Sequence, residues 1–267
     1  MRFSSDQIQK IEKEISNKVD GKTLFDEFSR GRYSTDASVY QIKPLGVVLP
    51  KDTNDVLNLM EYSQKNSIPL LARGGGSSQC GQTVGESVVL DYSKHQNKIL
   101  ELNVEEKYVW VQPGVVLDHL NSFLRPHGLW FPVDVSTSSR ATIGGMSANN
   151  SCGSRSLYYG NMVHNVLAIE AILDDGSIHT FDQINKNYLA TTNNQDRFYK
   201  IIDKFLHLRQ KVSKDIDENW PTTQRRVGGY NIDLIDPNGF NSSNLLVGSE
   251  GTLSLFNRIK LKLSEIP

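Results

Sequence analysis

Apolar positions near the start of the chain recur at helical spacing. Ile8, Ile11, Ile15 and Val19 lie three or four residues apart among polar and charged neighbours. With Ser4 and Gln7 at capping-box spacing, they predict an amphipathic helix over 4–19. The periodicity then fades, and a loop-rich lead-in is expected to about Tyr40. Residues 45–50 form a short, continuous apolar run, the mark of a buried strand. Asp52 or Thr53 caps a helix that carries Val56, Leu57 and Met60 and ends near Asn66. Further strands are predicted at 70–73, 88–92, 99–103 and 108–112. This order of elements predicts a mixed α/β or α+β unit.

A second unit is expected from Pro113-Gly114. Val116, Leu117, Leu120, Phe123 and Leu124 mark a helix stopped by Pro126 and Gly128. A polar, glycine-bearing segment follows over 132–160. Residues 166–173 read as a strand, with Asp175-Gly176 as the turn into another at 178–181. Phe198, Ile201, Ile202, Phe205 and Leu208 predict a helix, and Ile259, Leu261 and Leu263 a closing strand. The expected organisation is a helix and lead-in over 1–41, then subdomains of about 42–112 and 113–267.

Composition narrows the function classes. The 29 basic and 30 acidic residues leave no global attraction toward nucleic acid or an anionic membrane surface. No apolar stretch reaches the roughly 18 residues that a membrane-spanning helix needs. The opening MRFSSDQIQK has no apolar signal core. A cytoplasmic location is expected, with peripheral association at the inner membrane face left open. Cys80 and Cys152 stand far apart, which excludes a disulfide framework and a CxxC metal site within the chain. The six histidines show no H-x-x-x-H or H-E-x-x-H spacing, so no metal site is expected.

Two segments carry candidate chemistry. The first runs from Arg73 through Gly74, Gly75, Gly76, Ser77 and Ser78 to Gly81 and Gly85, directly after a predicted strand. Glycines in a tight loop expose consecutive backbone N–H groups, a nest suited to phosphate. Arg73 would add charge and paired donors. The same composition also fits a flexible glycine turn beside a surface arginine. The second segment, 132–160, is rich in hydroxyls, amides and glycines and nearly free of charge. That suits a wrap around a large ligand, although a long polar loop without a ligand stays open. Arg225-Arg226-Val227-Gly228-Gly229-Tyr230-Asn231 and Gly248-Ser249-Glu250-Gly251-Thr252 are weaker signals. Two other features fail. No G-x-G-x-x-G follows a strand. Gly21-Lys22-Thr23 resembles the end of a P-loop, but Ser16 stands where the first glycine is required, so it reads as a loop.

Taken in order, ARGGGSSQCGQ, PVDVSTSSRATIGGMSANNSCGSRSLYYG, NVLAIEAILDDG, GYNIDL and GSEGTL resemble the FAD-linked oxidases and dehydrogenases of the vanillyl-alcohol oxidase/PCMH superfamily. Within it they look most like the D-lactate, glycolate and D-2-hydroxyglutarate dehydrogenase branch. The likeness runs from about Ile42 to the last residue. It implies a PCMH-type FAD-binding fold of two α+β subdomains with FAD between them. It also implies that Arg73, Gly74, Gly75, Gly76, Ser77 and Ser78 form the pyrophosphate loop. Pro132, Ser136, Ser139, Thr142, Gly144 and Gly145 would follow the rest of the cofactor. Asn149, Gly153, Ser154 and Gly160 would continue the cradle, and Val166 would pass the adenine end. Some members attach flavin through a histidine in this loop. Ser77 holds that position here, which implies non-covalent FAD.

The implied activity is oxidation of a D-2-hydroxy acid, with electrons passed on to an acceptor. The resemblance identifies no catalytic residue, although Tyr230 and Asn231 would approach the flavin. A cap domain that normally carries substrate-binding groups is missing from the chain. The expectation is therefore the FAD-binding portion of a longer enzyme, or one subunit of a complex. A non-catalytic FAD-binding subunit and a flavin reductase of the same fold are the alternatives. Met146-Ser147-Ala148-Asn149-Asn150 departs from relatives that place an asparagine directly after Gly-Gly.

Overall fold

The computed structural model describes residues 3–185, 196–223 and 225–267. Helix α1 (Ser5–Ser16) starts at a complete capping box between Ser4 and Gln7 and buries Ile8, Ile11 and Ile15. Each of those isoleucines contributes about 1.5–3 kcal/mol on burial. They pack on the first sheet, made of β1 (Lys22–Leu24), β2 (Gly46–Leu49), β3 (Leu70–Arg73) and β4 (Val88–Asp91) in the order β1-β2-β4-β3. Helix α3 (Thr53–Asn66), capped by Asp52, carries the chain from β2 to β3, and β4 enters between them in parallel. Val47, Val48, Val88, Val89 and Leu90 are wholly buried, as expected where a parallel sheet is covered on both faces.

The second sheet is antiparallel, in the order β5-β6-β12-β8-β9. Its strands are β5 (Ile99–Asn103), β6 (Tyr108–Val111), β8 (Val166–Ile172), β9 (Ile178–Phe181) and β12 (Leu255–Lys262). Helix α4 (Leu117–Leu124) and helix α8 (Arg197–Lys211) bury Leu120, Leu124, Phe198 and Ile202 in the same core as these strands. Short pairs β7 (Leu129–Trp130) with β13 (Ser264–Glu265), and β10 (Gln183–Asn185) with β11 (Gly239–Asn241), complete the sheets. The two main sheets meet where Ile172 and Leu255 enter the first sheet's core and Thr53 donates to Asn257 at 2.7 Å.

Three sequence expectations change. The division is not near residue 112: β5 and β6 join the second sheet, so the sheets part between Asp91 and Ile99. Val109 and Val111 fit either core by pattern, and pairing with the distant β12 decides between them. The lead-in over 1–41 belongs to the first unit, since it contains β1 and helix α2 (Glu27–Arg32). The polar segment 132–160 is partly helical, with α5 (Ile143–Asn149) and α6 (Ser156–Tyr159), followed by α7 (Met162–Asn165).

The P-loop look-alike also resolves. Gly21 enters β1 so tightly that a Cβ would lie 2.2 Å from the Leu49 carbonyl oxygen. The buried Asp55 carboxylate accepts the backbone N–H groups of Asp20, Gly21 and Lys51 at 2.7–2.9 Å. These amides therefore hold a carboxylate of the chain itself.

Candidate functional site

A cavity of about 450 Å³ opens at the seam between the sheets. This lies within the usual range for small-molecule sites. The loop after β3, the segment leading into and out of α5, and the 250–256 stretch that runs into the start of β12 line it. The first two touch through glycine. A Cβ on Gly74 would sit 2.0 Å from Thr142 Oγ1, and one on Gly75 would sit 2.2 Å from the Arg140 carbonyl oxygen. A Cβ on Gly144 would lie 2.6 Å from Pro113 Cβ, and its N–H donates to the Pro113 carbonyl at 2.8 Å. The glycines are thus consumed first by loop-on-loop packing, which leaves the cavity wall built of backbone.

Of the expected site residues, Arg73, Gly74, Gly75, Gly76, Ser77, Ser78, Ser136, Thr142, Gly144, Gly145 and Asn149 line the cavity. Pro132, Ser139, Gly153, Ser154, Gly160 and Val166 do not. Pro132 is buried beside Phe131, and Ser139 is exposed to solvent. Gly153 and Ser154 serve Asp134: a Cβ on Gly153 would meet its carbonyl oxygen at 2.1 Å, and Ser154 Oγ donates to its carboxylate at 2.8 Å. Gly160 has a left-handed backbone, φ +77°, at the end of α6. Val166 is buried in β8, where its carbonyl oxygen accepts from Asn241 at 3.0 Å.

Arg73 plays a different part from the one its sequence suggests. Its guanidinium donates to the carbonyls of Thr35 and Thr83 at 2.8 and 2.9 Å and to that of Tyr33 at 3.4 Å, and it lies over the Tyr33 ring. Tyr33 in turn donates to Asp91 at 2.6 Å. Burial, with the Asp91 hydrogen bond and charge behind it, raises the Tyr33 phenol above its ordinary range and keeps it a donor. Arg73 therefore braces the glycine loop against the lead-in. Tyr230 is exposed and shares a hydrogen bond with Thr252, while Asn231 is buried and donates to the carbonyls of Asn244 and Val247.

Residues that the sequence reading did not assign to the cofactor complete the wall, among them Gln82, Tyr92, Pro113, Val227, Glu250, Ser254 and Phe256. Val227 and Glu250 sat within the two weaker signals, but nothing local marks Tyr92, Ser254 or Phe256 as lining a site. Glu250 and Arg73 are the charged residues of the lining, and no histidine is among its described residues. No cluster of metal-ligating side chains occurs among the described residues. Two polar groups of the lining, the Tyr92 hydroxyl and Ser254 Oγ, are sealed from solvent without a hydrogen-bond partner among the described residues. Buried polar groups are normally satisfied. A cavity of this size lined by backbone and short polar side chains fits a large ligand that brings its own polar atoms.

Known proteins resemble this chain in sequence and in fold. The D-2-hydroxyglutarate dehydrogenase of Haemophilus influenzae is 37% identical over 88% of this chain, which covers 24% of that protein. A glycolate oxidase subunit of Bacillus subtilis is 30% identical over 97% of the chain, covering 46% of that protein. The chain thus spans about a quarter of the length of the first of these relatives. The solved structure of an alkyldihydroxyacetonephosphate synthase superposes with a TM-score of 0.66 at 18% identity, covering 99% of this chain and 41% of the other. That likeness shows a shared two-sheet fold. A family model described as an FAD binding domain matches residues 44–182, just over half of the chain. This span holds both glycine-joined loops and the first sheet's β2, β3 and β4, and on this evidence the chain belongs to the FAD_binding_4 family of FAD binding domains.

Proposed function

We propose that the chain is the FAD-binding part of a flavin-dependent dehydrogenase that oxidises a D-2-hydroxy acid of the lactate, glycolate or 2-hydroxyglutarate type. The likeness to D-2-hydroxyglutarate dehydrogenase over 88% of the chain carries this reading. Bound FAD supplies the acceptor for the hydride of the substrate's hydroxyl-bearing carbon. The chain's own residues bind and orient. The N–H groups of Gly74, Gly75 and Gly76, with the Ser77 and Ser78 hydroxyls, face the diphosphate. Ser136, Thr142, Gly144, Gly145 and Asn149 continue along the cofactor. Pro132, Ser139, Gly153, Ser154, Gly160 and Val166 support that path from behind the wall. Ser77, rather than a histidine, occupies the loop, and the cofactor is held without a covalent bond.

The lining is a cofactor site more than a complete catalytic site. Its arginine is spent on backbone carbonyls, and its carboxylate accepts from Asn149 and Gln82. The groups that hold the substrate carboxylate and take the hydroxyl proton belong, in this proposal, to a cap domain or partner subunit. The electron acceptor is likewise supplied from outside the cavity. No helix among the described residues is long and apolar enough to cross a membrane. A cytoplasmic site of action, with peripheral membrane association, is part of the same proposal.

The test is anaerobic mixing of the flavin-loaded full-length protein with D-2-hydroxyglutarate, D-lactate and glycolate, with the L enantiomers of the first two as controls. At least one of these acids should bleach the visible flavin band, and L enantiomers should not. Acid precipitation should release the colour into the supernatant. A band untouched by all three acids would overturn the assignment, and colour retained in the pellet would overturn non-covalent attachment.

A further inference from the structure

Within the lead-in, residues 35–41 form a small hairpin closed by a bridge between Thr35 and Gln41, and Ile42 donates to the Ser34 carbonyl at 2.9 Å. Val39 near its tip is 95% exposed, and Tyr40 and Ile42 are exposed as well. So little apolar burial puts the hairpin at the low-stability end of the fold. It touches the loop after β3 at three places. Arg73 Nη2 donates to the Thr35 carbonyl at 2.8 Å, and Thr83 Oγ1 donates to the Asp36 carboxylate at 3.0 Å. The Tyr40 ring packs on Gly81 so closely that a Cβ there would lie 2.6 Å from it.

The Arg73 guanidinium carries this contact on to the cavity wall. It fills the space beside Gly76, where a Cβ would lie 2.5 Å from Nη2. Gly76 has a left-handed backbone, φ +63°, and lines the cavity. The guanidinium is itself placed by the carbonyls of Tyr33 and Thr35 and by the Tyr33 ring, all of them in the lead-in. Accepting that this cavity holds FAD, we propose that the 35–41 hairpin is a strap on the glycine loop, that Arg73 is the positioning residue between the two, and that strap docking and FAD binding favour each other. Such coupling is reciprocal: a cofactor that needs the loop in one shape stabilises, by the same factor, the strap that holds it there. Asp36 and Tyr40 do not line the cavity, so they reach FAD only through the loop.

The experiment combines FAD titration with amide hydrogen exchange on the 267-residue chain and its Asp36→Ala, Tyr40→Ala and Arg73→Lys variants. Asp36→Ala and Tyr40→Ala should each weaken FAD binding by about fivefold, the low end of couplings between separate sites. Arg73→Lys keeps the charge but loses the fork that reaches several carbonyls at once, and should weaken binding at least as much. In the wild type, FAD should slow exchange across 35–42. Without cofactor, Asp36→Ala and Tyr40→Ala should exchange faster than wild type across 74–84. Unchanged FAD affinity in both variants would overturn the strap, even if both melt at a lower temperature, because a hairpin that serves only the fold would show that alone. Protection by FAD confined to the glycine loop would overturn the coupling. Failure of the wild-type chain to bind FAD would instead bring down the cavity's assignment, and exchange in the cofactor-free variants would still decide whether the hairpin shapes the loop.

Discussion

Asn149 Nδ2 donates to Glu250 Oε1 at 2.9 Å, joining the end of α5 to the turn before β12. The same oxygen accepts from Gln82 Nε2 at 3.4 Å, so one carboxylate ties together three stretches of the cavity wall. The backbone reinforces the tie, with Glu250 donating to the Ala148 carbonyl at 2.9 Å and Gly248 to that of Ser147 at 3.0 Å. Glu250 holds a left-handed backbone, φ +53°, to make this contact. Its Glu250→Ala variant should bind FAD about tenfold more weakly, from the loss of a charged acceptor. Glu250→Gln keeps an acceptor oxygen and should retain most of the affinity. Fluorescence titration of FAD separates the two, and equal affinities for Ala and wild type would discard the clamp.

Gly75 lies in the loop after β3 and Gly145 in the first turn of α5, and they differ in what surrounds them. A methyl on Gly75 would strike the Arg140 carbonyl oxygen, which is backbone and cannot swing aside. A methyl on Gly145 would come within 3.3 Å of Thr142 Oγ1, a contact that a small shift relieves. Gly75→Ala should therefore pry the loops apart and abolish measurable FAD binding, while Gly145→Ala should bind within a few-fold of wild type. Comparable affinities in the two variants would show that the loop contact is not what shapes the site.

Asp55 concentrates stability in one buried carboxylate. It is 3% exposed and accepts three backbone N–H groups from the turn before β1 and the turn after β2. Removing it leaves three donors unmet, and Asp55→Ala should cost on the order of 2–4 kcal/mol. Urea unfolding would measure this, and a loss below about 1 kcal/mol would mean that water replaces the carboxylate.

His164 should make stability fall on mild acidification. Its Nδ1 accepts the Asn161 backbone N–H at 3.0 Å, a bond that requires the neutral ring. Burial lowers its pKa below the ordinary 6.5, and the nearby Arg226 charge lowers it further. The unfolded chain then takes up the proton first, so stability is intact above the unfolded value and declines as pH falls from there toward the folded one. Melting temperatures measured down that range should decline more steeply for wild type than for His164→Gln. Parallel curves would assign the acid sensitivity to other groups.

Much of this protein is legible along the chain. The capping box at Ser4 and Gln7, the Asp52 cap of α3 and the apolar runs of β2, β4 and β8 are local signals, because helix caps and strand burial act over a few residues. The two cavity-lining loops are legible for the same reason: glycines after a strand and a hydroxyl-rich run are compositional facts. Sequence alone does not tell a glycine that cradles a ligand from one that lets two loops meet. Gly153 and Gly74 look alike in sequence, yet the first packs on Asp134 away from the cavity and the second forms its wall.

What tertiary structure decided are the relationships between distant segments. Which sheet receives β5 and β6 depends on β12, far downstream, and the hydrophobic alternation of Tyr108–Val111 satisfies either choice. Arg73 reads as a free cation until the lead-in folds back and presents the carbonyls of Tyr33 and Thr35 to it. Tyr92 reads as an ordinary strand-end tyrosine. In the fold it comes to line the cavity together with Ser254 and Phe256, and its hydroxyl is sealed without a hydrogen-bond partner among the described residues. Local sequence determines which backbone conformations and buried faces are available. Hydrogen-bond satisfaction and packing are properties of pairs, and their pairs are set only when the two sheets come together.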